Sequence, residues 1–69
     1  MIDTAKLRGK IVEKGFTQQD IANFIGKTPK TFYLKMKRGV FDSDEISKMV
    51  DVLGIENPTE IFFANKVTQ

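Results

Sequence analysis

Gly15-Phe16-Thr17-Gln18-Gln19-Asp20-Ile21-Ala22-Asn23-Phe24-Ile25-Gly26-Lys27-Thr28-Pro29-Lys30-Thr31-Phe32-Tyr33-Leu34-Lys35-Met36 predicts two short helices joined by a glycine turn, with the positive charge on the second. Thr17 is placed to cap the first of these, and Asp20 three residues later can reach back to the Thr17 amide as in a capping box. Ile21, Ala22 and Ile25 form its buried stripe, and Gly26 supplies the positive φ that ends it. Thr28 and Pro29 then open the next helix as N-cap and first helical residue, a position where a missing amide proton costs nothing. At about 100° per residue, Phe32 and Met36 share the inward face. Leu34 points the opposite way, flanked by Lys30 and Lys37, with Tyr33 and Lys35 on the two borders.

Working outward, a helix is expected from about Thr4 to Lys14, capped by Asp3 or Thr4, with Leu7, Ile11 and Val12 at helical spacing and Gly15 as its stop. After a loop from Lys37 to Phe41, Asp42 and Glu45 make a second capping box. The helix they open runs to about Leu53 on a core face of Ile46, Met49, Val50 and Leu53, and ends at Gly54. Asn57-Pro58-Thr59-Glu60 repeats the device of cap, proline and glutamate for a short fifth helix to about Ala64. Asn65 to Gln69 carry no core pattern. The expectation is one all-α domain over residues 1–69, with five helices and no strand.

A chain of 69 residues buries only about 60% of the surface its unfolded form exposes, so its stability is modest. The absence of Cys and His excludes disulfides and thiolate or imidazole metal sites, together with the commonest nucleophile and proton-transfer groups. The longest apolar run, Ile61-Phe62-Phe63-Ala64, is far short of a membrane span or signal sequence, and a cytoplasmic location is expected. Charge is unevenly spread. Residues 27–38 hold five positive charges (Lys27, Lys30, Lys35, Lys37, Arg38) and no negative one. Residues 40–62 hold six acidic side chains against Lys48 alone. A basic run on one helix of a helix-turn-helix, spanning about residues 17–38, suits the groove of DNA.

In its order of residues the chain resembles the Cro/repressor helix-turn-helix family of phages and bacteria, also called the xenobiotic-response-element type. Thr17-Gln18 opens the second helix as in that family, Ala22 stands at the small-residue position where two helices cross, and Gly26 is at the turn. Phe32 takes the place of a buried Ile or Val, and Val52-Leu53-Gly54-Ile55 followed by Glu60-Ile61-Phe62 is similar to the family's closing helices. Two departures concern the third helix. Lys35 stands where the family places a second core residue, with the apolar Met36 one later, and the spacing from Phe32 to Gly39 is one residue longer. A rotated or extended third helix is expected from them.

The resemblance implies a lambda-repressor-like DNA-binding domain and a transcriptional regulator of phage or prophage type, a Cro-like repressor that occupies an operator. Thr28, Pro29, Lys30, Thr31 and Leu34 match the family's base-reading positions. Lys30 is suited to guanine O6 or N7, and Pro29 and Leu34 to thymine methyl groups. Thr17, Gln18, Lys27, Tyr33, Lys35, Lys37 and Arg38 are candidate phosphate contacts. Asp42, Asp44 and Glu45 are explained by helix capping and the helix dipole rather than by catalysis or metal binding, so neither an enzyme nor a cofactor or small-molecule ligand is expected. So small a module makes few contacts, and a homodimer on a two-fold operator is expected, with Ile55, Ile61, Phe63 and Val67 as candidate interface residues. A rival reading is a helical protein-binding adaptor or anti-repressor whose basic face meets an acidic partner.

Overall fold

The computed structural model describes residues 2–62. Among them the chain is all-α, with five helices: α1 (Thr4–Glu13), α2 (Gln18–Phe24), α3 (Pro29–Arg38), α4 (Ser43–Leu53) and α5 (Pro58–Phe62). α2 packs chiefly on α3 and also touches α1 and α4, while α5 lies against α1. The part of α5 expected beyond Phe62, together with Phe63 and Val67, lies outside the described residues.

The first four helices begin where a side chain meets otherwise unpaired amides. Asp3 accepts from the Lys6 amide at 3.1 Å. Thr17 Oγ1 accepts from the Asp20 amide at 3.1 Å while Asp20 Oδ2 accepts from the Thr17 amide at 2.9 Å. Asp42 and Glu45 form the same reciprocal pair at 2.8 and 2.9 Å. Replacing Asp42 with Ala removes one partner of that box, and chemical denaturation is expected to show a loss of about 1 kcal/mol, typical of an N-cap deletion. At α5 the device is built differently. The Glu60 amide donates to the Asn57 carbonyl at 3.2 Å, and the Asn57 side chain donates to the Glu60 carboxylate at 3.1 Å.

The first four helices stop alike. At each a glycine takes a positive φ, and the residue after it donates its amide to the carbonyl five residues back: Phe16 to Ile11, Lys27 to Ala22, Val40 to Lys35 and Ile55 to Val50. These bonds satisfy carbonyls the helix leaves unpaired. At Gly26, with φ +77°, the reversal sends the chain straight from α2 into α3. At Gly39, with φ +72°, it ends α3 two residues later than expected: the helix includes Lys37 and Arg38, which the sequence places in a loop.

The core gathers Leu7, Ile11, Ile21, Ala22, Ile25, Phe32, Met36, Met49, Leu53, Ile55, Ile61 and Phe62, joined by Ile2 and Phe41. Phe41 stacks at a tilt on Phe32, centroids 5.5 Å apart. Ile46 and Val50 are only partly buried against this cluster. Val12 is not in it. It is 73% exposed, because the face of α1 that meets the body is set by Leu7 and Ile11, four residues apart, and Val12 follows one residue, or about 100°, further round. The start of the chain is stitched in by backbone. The Ile2 amide donates to the Gly39 carbonyl at 3.2 Å and the Asp3 amide to the Ile61 carbonyl at 2.7 Å.

Candidate nucleic-acid interface

α3 owes its position to two side chains. Phe32 and Met36 are buried against the body, and the residues on the other side of the wheel are consequently in solvent. Lys30, Leu34, Lys37 and Arg38 are all exposed, and Leu34 keeps 49% of its surface free. Thr31, Leu34, Lys35, Arg38 and Val40 line a shallow depression of about 310 Å³. Its apolar floor of Leu34 and Val40 lies among cationic heads.

The hydroxyls at the start of α3 are partly engaged. Thr28 Oγ1 accepts the Thr31 amide at 3.2 Å and lies 3.0 Å from Thr31 Oγ1, to which it donates. Pro29 is half-buried. At the start of α2, Thr17 spends its oxygen on the cap and Gln18 is half-buried beside it. Tyr33 is exposed, with its ring edge-on to Phe32 at 6.4 Å.

The charges divide into two kinds. Lys35, Lys37 and Arg38 occupy the last turn of α3, where the partial negative end of the helix dipole already favours cations. Lys27 and Lys30 lie at the opposite end, where the dipole disfavours them and favours an anion instead. Lys30 pairs with no carboxylate among the described residues.

Glu45 is a site feature that sequence reasoning assigned to capping alone. It is 2% exposed, and an isolated carboxylate buried to that degree costs several kcal/mol unless it is paired and hydrogen-bonded. Its Oε1 accepts from the Asp42 amide at 2.9 Å and from Lys35 Nζ at 3.1 Å. Its Oε2 lies 3.7 Å from Lys27 Nζ and accepts no hydrogen bond within the described protein. One carboxylate from α4 thus draws in one lysine from the α2–α3 turn and another from α3. Nothing in the spacing of residues 27, 35 and 45 signals this, because the three meet only through the packing of α2, α3 and α4.

Of the other acidic side chains, Asp44 pairs with Lys48 at 3.4 Å, and among the described residues no group of three or more metal-ligating side chains converges. Ile55 and Ile61, considered for an interface between copies, are buried in the chain's own core. No helix among the described residues is long and apolar enough to cross a membrane.

Residues 1–65 match the family described as protein of unknown function DUF739, and the chain belongs to that family. No curated protein and no solved structure matches it.

Proposed function

We propose that this member of the DUF739 family is a sequence-specific DNA-binding regulator, a Cro-like repressor that lays α3 in the major groove of its operator. One observation carries the reading: Phe32 and Met36 hold α3 so that Lys30, Leu34, Lys37 and Arg38 stand together in solvent. A base-reading helix needs both a positive field for phosphates and side chains that meet base edges. Lys30 supplies a donor for guanine, and Leu34 an apolar surface for a thymine methyl. Pro29, Thr28 and Thr31 lie at the end of α3 that enters first. Thr17, Gln18, Lys27, Tyr33, Lys37 and Arg38 are assigned to flanking phosphates. Because one α3 offers few base contacts, two copies on a two-fold operator are proposed; Ile55 and Ile61, being buried, are not proposed for that interface.

Titration of a nonspecific duplex at several salt concentrations tests the reading. Neutralising three to five phosphates per chain gives a slope of log affinity against log salt between about −3 and −5. Binding that ignores salt, or none at low salt, rejects DNA as the partner and favours an adaptor whose exposed Leu34 and Val40 meet a protein. Selection from a random duplex pool is expected to return a palindromic motif.

A further inference from the structure

The buried Glu45 has so far no part in binding, and the inference drawn from it rests on the DNA reading above. Its carboxylate sits behind the basic face rather than on it, and it engages two of that face's five cations. Lys35, hydrogen-bonded at 3.1 Å, is the more firmly held. Lys27 is nearer solvent and lies at 3.7 Å. A phosphate approaching α3 must compete for these ammonium groups with an anion already in place. That anion is desolvated and fixed by the Asp42 amide, so it gives up no water and little freedom to keep them. Pairs of this kind are screened by salt far less than a DNA phosphate is.

We propose that Glu45 is an internal counterion of the DNA-binding face: it withholds one unit of positive charge from the phosphate backbone and so lowers sequence-independent binding relative to binding through Lys30 and Leu34. It is a positioning residue, acting through Lys35 and Lys27 and touching no DNA itself. Five cations less one carboxylate leave a net four. At roughly 0.9 counterions per phosphate the unaltered chain then has a salt slope near −3.6, and Glu45→Gln one near −4.5. Between 50 and 200 mM salt these slopes correspond to affinity losses of about 150-fold and about 500-fold. Glutamine keeps the acceptor for the Asp42 amide, so the substitution removes charge with little change of shape.

The experiment is fluorescence anisotropy of a labelled nonspecific duplex with both proteins across that salt range, with circular dichroism to show that each is helical. Tighter binding by Glu45→Gln at 50 mM salt with a slope steeper by about 0.9 is the expected result. Equal slopes, or weaker binding with an unchanged slope, overturn the inference and leave Glu45 a purely structural group. Absence of duplex binding by both folded proteins at 50 mM salt sinks the DNA reading itself and this inference with it. If Glu45→Gln does not fold, lysine ammonium NMR of the unaltered protein decides. The Lys35 signal is expected to persist under conditions where that of Lys30 is lost to solvent exchange and to stay in place as duplex is added. Exchange as fast as that of Lys30, or an equal shift on adding duplex, overturns the inference.

Discussion

Phe32→Ala is expected to remove most of the domain's stability. The side chain is fully buried and touches the ring of Phe41, on the helix that packs most closely against α2, so truncation leaves a cavity in the core. Phe→Ala in a core costs about 3–5 kcal/mol, against total stabilities that begin near 5 kcal/mol for small domains. At about 4–8 °C per kcal/mol for a chain this size, the thermal midpoint falls by more than about 12 °C. Val12→Ala is the matched control. Though apolar and helical, Val12 is exposed, and its truncation is expected to change stability by less than about 0.5 kcal/mol. Thermal and urea unfolding of the two variants check both expectations. Equal costs would mean that α3 is not anchored through Phe32.

The second large effect is on sequence preference. Under the proposed function, Lys30→Ala and Leu34→Ala each remove a base contact, and each is expected to reduce discrimination between a selected duplex and a scrambled one by about 1–3 kcal/mol. Lys37→Ala should instead weaken both duplexes alike and reduce the salt slope by about one. The two classes are separated by competition binding with both duplexes. Lys30 and Leu34 are not readers if their removal weakens every sequence equally. The two residues test different chemistry: Lys30 a hydrogen-bond donor lying against the helix dipole, Leu34 an apolar surface with no charge to lose.

Most of the fold is legible in the sequence because its punctuation is local. A cap and its glutamate or aspartate lie three residues apart, a glycine stop acts on the turn before it, and the Phe32–Met36 stripe needs only the helical period. Those signals locate all five helix starts and the stops at Gly15, Gly26 and Gly54 to within a residue, while they place Gly39 within a loop that begins two residues too early. What escaped is set by neighbours distant in sequence. Val12 passes for core by period, and only the packing of α1 shows which of two adjacent apolar residues turns inward. Phe41 had a usable signal: it precedes the Asp42 cap with Ile46 four positions into the helix, the spacing of a hydrophobic staple, and Phe16 and Ile21 repeat it around Thr17. Glu45 had none, since a capping glutamate is ordinarily in solvent. The exposed face of α3 was legible from its wheel, but the engagement of Lys27 and Lys35 by a carboxylate from α4 was not.

The backbone bonds from Ile2 to Gly39 and from Asp3 to Ile61 tie the segment ahead of α1 to the end of α3 and to α5. Both bonds join residues far apart in the sequence, and closing loops of that length costs entropy that shorter contacts do not, so these bonds are expected to form late in folding. Until then α3 lacks the clasp on its final turn. A disturbance at Ile2 is in this way felt at the end of α3, far along the chain.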